Sequence, residues 1–344
     1  MTVSKDPPIR RAAAPTSSRP MAPLSQPEEC GKFFSPPLGS TPSTITLPGV
    51  DCQIRTQVPL SNFTSFRVGG PAELYVAPRS LEELHASFNW AEDRGIPITL
   101  LGAGSNLLVS DRGVPGLVIA TRHLRTKIFE ADTGRITVGA GVPLARLAWQ
   151  AAAQGWTGLE WAVGIPGTVG GSVVMNAGAH QSCMADIVVD VQVLVPNCQT
   201  VILKPEALGY AYRMSNLQGD RRLVTQATLQ LQPGTNPEQV LATTSEHLNS
   251  RRNSQPYHLP SCGSVFRNPT PRSAGWLIEQ VGLKGYQIGG AQVAQRHANF
   301  ILNCGGATAD DIFRLIRHIQ EQVEQQWSLL LEPEVKILGE FERV

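Results

Sequence analysis

Apolar residues along the chain follow two periods. Behind Ser80-Leu-Glu-Glu83, a capping-box pattern, Leu81, Leu84 and Phe88 fall on one helical face, and Gly95 with Pro97 ends the helix. Pro97 to Leu101 then reads as a strand, and Ile136 to Val138 as a shorter one. Pro143 to Gln154 predicts a helix opened by proline and closed by Gly155. Ile187 to Val195 and Leu223 to Leu231 alternate or run apolar, as sheet strands do, and Pro237 to Arg252 is helical. The clearest helix spans Ala309 to Trp327 behind Thr308, with Ile312, Leu315, Ile316, Ile319, Val323 and Trp327 in one core stripe. Folding is expected to begin near Ile45, no internal repeat is visible, and the element order predicts an α+β or mixed α/β chain.

Two glycine-rich stretches break this periodicity. Gly164 to Ala179 reads GIPGTVGGSVVMNAGA, and Leu100 to Ser110 reads LLGAGSNLLVS. Five glycines in sixteen residues, interleaved with Ile165, Val169, Val173, Val174 and Met175, are unlike a flexible linker, which is Ser-rich and polar. Such backbone approaches something closely and offers it N–H groups; a pyrophosphate-bearing cofactor is the expected guest. Neither stretch closes with Gly-Lys-Ser/Thr, and neither has the G-x-G-x-x-G spacing of a Rossmann turn. The strand running into Gly102-Ala-Gly-Ser-Asn106 gives an anion cradle a fixed base, although a tight turn fits Gly and Asn equally.

Composition narrows the class. With 344 residues, 42% of them hydrophobic, the chain can build about two domains. A net charge of +1 offers no basic field for nucleic acid and no polybasic membrane patch. No apolar run approaches the ~20 residues of a span, so a soluble protein is expected. Six scattered cysteines without a C-x-x-C pair read as reduced thiols of the cytosol, and no metal site is expected. Residues 1–45 are rich in Pro, Ser, Thr and Ala and read as a disordered leader. Arg10, Arg11 and Arg19 loosely resemble a transit peptide, but Asp6, Glu28, Glu29 and the prolines oppose that reading.

Three smaller constellations could carry chemistry. Tyr210-Ala-Tyr-Arg213, read as a strand, puts Tyr210 and Tyr212 on one face and Arg213 on the other; an arginine packed on aromatics is the plainer alternative. Ser264, in Gly263-Ser-Val-Phe-Arg-Asn-Pro269, could be only a turn or cap serine. Leu331-Glu-Pro-Glu-Val335 puts Glu332 and Glu334 on one strand face around a proline that keeps the strand at an edge or bulge; solvated acids are the alternative there.

Jointly these segments resemble the UDP-N-acetylenolpyruvoylglucosamine reductase family. The resemblance runs from about Ser61 to Glu342 through LLGAGSNLLVSDRG, GIPGTVGGSVVMNAGA, YAYR, GSVFRNP, GWLIEQVGLKGYQIGGAQVAQRHANFI and LEPEV, in that order. The spacing from Tyr212 to Gly263 leaves no room for the extra Tyr-bearing loop of one branch, and the proline-rich leader has no counterpart. The resemblance implies a two-lobed FAD-binding unit of the vanillyl-alcohol-oxidase type followed by a C-terminal α/β substrate lobe. The expected divisions are 46–125 and 126–236 for the two FAD lobes and 237–344 for the substrate lobe.

It further implies non-covalent FAD, with pyrophosphate on Gly102, Ala103, Gly104, Ser105, Asn106 and Leu107. The flavin would lie over the segment carrying Gly164, Ile165, Pro166, Gly167, Gly170, Gly171, Ala177 and Gly178. NADPH is the implied co-substrate and the enolpyruvyl ether of UDP-N-acetylglucosamine the implied substrate, in peptidoglycan precursor synthesis. Arg213 and Glu334 would stabilise an enolate, Ser264 would supply a proton, and Arg251 or Arg252 (Arg252 preferred), with Asn268, would hold the diphosphate. A cytoplasmic monomer without nucleic-acid or membrane partners is expected. A flavin oxidase of the same fold and a non-catalytic flavin or nucleotide-sugar binder are the alternatives; the first would lack the Arg213, Ser264 and Glu334 set.

Overall fold

In the computed structural model, residues 43–196 and 199–342 are described. The expected leader lies outside them up to residue 42; its last residues, 43–45, are not disordered, since Ser43 bonds Thr56 and Thr44 and Ile45 pair with the next strand. The first sheet has five strands, in the order Thr44–Thr46, Gln53–Pro59, Pro71–Val76, Val114–Ala120, Ile98–Leu101. Its first two pairings are antiparallel and its last two parallel. The helix Leu81–Glu92 covers one face through Leu84, Phe88 and Ala91, against Ile54, Leu74, Val76, Leu117 and Ile119. Ser80 caps it by accepting from the Glu83 amide at 3.2 Å. The other half of the expected box is displaced by one residue, because the Glu83 carboxylate accepts from the Arg79 amide.

A second five-stranded sheet, fully antiparallel, runs Thr200–Leu203, Val188–Leu194, Leu223–Gln230, Arg135–Gly139, Lys127–Glu130. The helices Leu144–Ala153 and Val169–Met175 share its core, where Ile136, Val138, Leu147, Val173, Val191 and Leu229 are buried. The second helix lies inside the glycine-rich segment. Its two glycines, Gly170 and Gly171, hide it from any propensity argument, and Thr168 starts it by accepting from the Gly171 amide.

The C-terminal region pairs a three-stranded sheet (Gln287–Ile288, Ala291–Val293, Ile301–Asn303) with the helices Ala274–Gln280 and Ala309–Trp327. The long helix has the expected bounds, and Ile312, Leu315, Ile316, Ile319 and Val323 of the expected stripe are buried, but Trp327, in the last turn, is exposed; Thr308 opens the helix with a capping box. Its core also takes in Phe66, Val68 and Leu108 from the N-terminal part. Three polar ties reinforce that junction. Asp111 accepts from the first two amides of the helix, Ala309 and Asp310, each at 3.0 Å. Asn303 donates to the Phe66 carbonyl at 2.9 Å. The strand Lys336–Leu338 pairs in parallel with Leu107–Val109, extending directly from the first glycine loop.

Candidate active site

The two glycine loops face one another. The Ser105 hydroxyl donates to the Pro166 carbonyl at 3.0 Å, and a Cβ at Gly167 would lie 3.1 Å from that hydroxyl. Among the described residues, the amides of Ala103 to Asn106 donate to no protein acceptor. Four consecutive donors without partners on a strand-anchored turn suit an anionic group. The glycines divide by cause. At Gly104, with φ +65°, a Cβ would collide with the Phe63 carbonyl; at Gly170 it would lie 2.8 Å from the Ala140 Cβ; at Gly178 it would collide with the Ser182 carbonyl. Those three are required by the chain's own packing. At Gly102 and Gly171 the nearest neighbour is one hydroxyl, that of Thr168, at 3.0 and 3.7 Å. A Cβ at Gly102 would face Thr168 of the second loop and one at Gly167 would face Ser105 of the first, so side chains at these positions would enter the space between the loops. The cleft therefore fits a cofactor with a pyrophosphate on the 103–106 amides and a flat group over the start of the helix Val169–Met175. Ile165 and Ala177 are half-buried, Pro166 is exposed, and Leu107 begins the strand paired with Lys336.

The three chemical candidates come from distant parts of the chain. Arg213 is not on a strand, contrary to the sequence expectation: Ala211 and Met214 exchange backbone hydrogen bonds of 3.2 and 3.0 Å, closing a turn around Tyr212 and Arg213. Arg213 takes φ +56°, outside the strand region, so strand alternation does not apply, and Tyr212 stacks on its guanidinium at 5.0 Å. The turn is sewn to the end of the helix Val169–Met175. Asn176 donates to the Ala211 carbonyl at 2.9 Å and Ser215 to the Val174 carbonyl at 2.6 Å, the latter serving a carbonyl that a helix end leaves without an internal partner.

From this turn the Arg213 Nε reaches the Glu334 carboxylate at 3.1 Å, and its terminal nitrogen donates to the Gly178 carbonyl at 2.6 Å. Glu334 lies on the extended segment whose next residues pair with the glycine loop's strand. Its carbonyl accepts from the Asn106 side chain at 3.1 Å, and the Lys336 amide donates to the Asn106 carbonyl at 3.0 Å. On its other edge Glu334 donates its amide to Val265 at 2.7 Å, and Phe266 bridges Pro333 in antiparallel fashion. Ser264 thus sits one residue from Glu334's backbone partner. Gly263 before it has φ +87°, and among the described residues the Ser264 hydroxyl bonds no protein group, unlike a cap serine. Arg213, Glu334, the residue after Ser264 and the cofactor loop are therefore linked by consecutive hydrogen bonds.

Electrostatics separate the two acids. Glu332 is exposed and paired with Arg267 at 2.7 Å. Glu334 is largely buried, and that burial raises its pKa above the ordinary carboxylate range, although Arg213 and, more weakly, Arg267 and Lys336 pull it down. Tyr210 packs into the second core with its hydroxyl buried, and burial pushes its pKa up. Of the neighbouring arginines, Arg251 lies in the space a Cβ of Gly164 would fill, whereas Arg252 is exposed. The structure thus turns Arg251, and not the preferred Arg252, to the glycine segment. Asn268 is exposed, and its side-chain oxygen accepts from the Ala274 amide at 3.1 Å, at the start of a helix. Sequence reasoning did not single out Asn176, Gln218 or Lys336; the left-handed Asn176 (φ 43°) is the one with a local signal, Asn before Ala-Gly.

Comparison with known proteins decides the family. The description "UDP-N-acetylenolpyruvoylglucosamine reductase, C-terminal domain" matches residues 255–338, and "FAD binding domain" matches residues 72–204. The UDP-N-acetylenolpyruvoylglucosamine reductase of a Nostoc species is 65% identical over 298 residues, covering 87% of this chain and 90% of the relative. The chain belongs to the UDP-N-acetylenolpyruvoylglucosamine reductase family. The reductase of a Synechocystis species is 54% identical over 317 residues, which covers 90% of this chain and all of the relative. The crystal structure of the Thermus caldophilus reductase superposes with a TM-score of 0.73 at 37% identity, covering 84% of this chain and all of that one. The chain is accordingly an oxidoreductase with an FAD-binding domain and the family's C-terminal domain; the candidate site takes Asn106 from the first matched region, Ser264 and Glu334 from the second, and Arg213 from the segment between them.

Proposed function

We propose that the chain reduces the enolpyruvyl ether of UDP-N-acetylglucosamine to UDP-N-acetylmuramate in the cytoplasm, with NADPH as reductant and non-covalently held FAD. The observation that carries this reading is the Arg213–Glu334 pair, 3.1 Å apart, held beside Ser264 on the segment that pairs with the cofactor loop. The amides of Ala103 to Asn106 would hold FAD, which would supply two-electron hydride transfer from NADPH to the substrate carbon C3. Addition at C3 leaves charge at C2 and in the adjoining carboxylate. Arg213 is aimed at that charge from a site with little solvent, where a fixed cation lowers the barrier most. The substrate carboxylate competes with Glu334 for the guanidinium. Losing that partner in a buried setting, the Glu334 carboxyl takes a proton and becomes a hydrogen-bond donor to the enolate. Ser264 gives C2 its proton; a neutral hydroxyl suffices because an enolate is a strong acceptor at hydrogen-bond distance. Arg251, beside Gly164, and Asn268 are assigned to the diphosphate.

The test separates the half-reactions. Ser264→Ala leaves the glycine loops and the Arg213–Glu334 pair in place, so reduction by NADPH should stay within about threefold of wild type in stopped flow. Reoxidation by the enolpyruvyl substrate should fall ~10²–10⁴-fold, as on loss of a positioned general acid. Equal slowing of both steps would make the serine a turn residue and overturn its assignment.

A further inference from the structure

Gln218 follows the Arg213 turn and is half-buried. Its amide nitrogen donates to the Arg213 carbonyl at 2.9 Å and to the Val174 carbonyl at 3.2 Å, and its oxygen accepts from the Lys336 ammonium at 2.9 Å. Both N–H donors and an acceptor lone pair are thus used, each on a different element. Val174 belongs to the helix Val169–Met175 beneath the cleft. Arg213 is the cation of the site. Lys336 stands two residues from Glu334, on the strand paired with the cofactor loop's own strand. We infer that Gln218 is a positioning residue that locks Arg213 in register with both the cofactor-side helix and the Glu334 segment. This rests on the assignment of Arg213 above.

The local backbone supplies the reason for such a lock. A non-glycine residue in the left-handed region is disfavoured, so the Arg213 turn would relax unless its carbonyl were held. The other donor to that carbonyl, one terminal nitrogen of Arg267, is at 3.4 Å, while the other terminal nitrogen pairs with Glu332 at 2.7 Å. Gln218 makes the shorter bond. Relaxation of the turn would move the guanidinium away from the developing charge, and a displacement of about 1 Å can cost ~10²-fold in rate. Flavin reduction by NADPH does not call on Arg213 and should be spared.

Gln218→Met keeps the length and removes every hydrogen bond, while Gln218→Glu keeps an acceptor for Lys336 but loses both donors. Each holoenzyme is compared by stopped flow for reduction by NADPH and reoxidation by the enolpyruvyl substrate, with FAD content and Tm as controls. Both variants should retain FAD, reduce within about threefold of wild type, and reoxidise roughly 10–100-fold more slowly. In an Arg213→Ala background Gln218→Met should add less than about twofold, because it acts through Arg213. Equal slowing of both half-reactions, or multiplicative effects in the double variant, would show a general structural role and overturn the inference. A Gln218→Glu enzyme with wild-type reoxidation would also overturn it, since the Lys336 contact alone would then suffice; this variant decides the matter if the methionine does not fold. If Arg213→Ala itself leaves reoxidation intact, the functional reading fails first. If it slows reoxidation while neither Gln218 variant does, only the positioning role fails.

Discussion

Gly171 tests whether the cofactor passes over the helix Val169–Met175. This glycine occupies the first helical turn, is exposed, and has only the Thr168 hydroxyl near its missing Cβ, at 3.7 Å. Nothing in the polypeptide requires glycine there, and helix propensity favours alanine by up to about 1 kcal/mol. Gly171→Ala should therefore leave the apoprotein's Tm unchanged or raise it by about 1–2 °C in a chain of this size. If a flat ring rests on this face, the added methyl must displace it, at a cost of ~1–3 kcal/mol for an overfilled contact. That corresponds to roughly 5–150-fold in Kd, read by titrating apoprotein with FAD and following flavin fluorescence. Gly170→Ala is the contrasting case: its Cβ would sit 2.8 Å from the Ala140 Cβ, so it should lower apoprotein stability by about 1–3 kcal/mol. Unchanged FAD affinity in a stably folded Gly171→Ala protein would refute a flavin over this face.

The raised pKa of Glu334 sets a sign for its pH dependence. Its stability contribution is present below the unfolded carboxyl value of ~4.3 and is lost as pH rises through the higher folded value, so wild type should lose Tm relative to Glu334→Gln from about pH 4 upward; a gap that moves the other way contradicts the burial argument. Asp111→Ala removes the acceptor for two amides at the start of the helix Ala309–Trp327, which should cost ~1–3 kcal/mol and speed amide exchange at Ala309 and Asp310, with Asp111→Asn recovering part. Unchanged exchange there would mean that the Thr308 capping box alone holds the helix end.

Much of the fold was legible because its longer elements keep one period. The helix Ala309–Trp327 has the expected bounds, and Leu223–Gln230, Leu144–Ala153 and Ile98–Leu101 fall within a residue or two of theirs. The failures have particular causes. The helix Val169–Met175 carries two glycines, so local propensity argues against it, and its packing on Ala140 decides otherwise. The Tyr210–Arg213 turn contains no glycine, proline or asparagine, so no turn signal marks it, and its left-handed arginine is held by bonds from Asn176, Ser215 and Gln218 that only the fold assembles. Choosing Arg251 over Arg252 needed the orientation of the helix Pro237–Ser254, and with only Val240 and Thr244 buried that helix shows no stripe from which to orient it.

The construction of the site accounts for the segments it uses. If Arg213 faces developing charge as proposed, it cannot share a flexible loop with the cofactor cradle, because each would move the other. Here the cradle is fixed by the strand Ile98–Leu101 behind it and by the Phe63 carbonyl packed against Gly104. The acid arrives 228 residues later, two residues ahead of a parallel strand and hydrogen-bonded to the same loop, so Glu334 and the cradle share one backbone frame. Arg213 belongs to neither strand and is joined to the frame through its own guanidinium and through Gln218. A left-handed arginine costs about 1–2 kcal/mol, and the net worth of the hydrogen bonds that close the turn, at ~1 kcal/mol each, is enough to hold it. On the proposed mechanism, the arginine would exchange its Glu334 partner for a substrate carboxylate without the turn relaxing. An ion pair held only by its own attraction could not do this, since separating it would release both partners. On that mechanism the backbone clamp, more than the ion pair, would let the carboxyl change protonation state while the guanidinium stays in place.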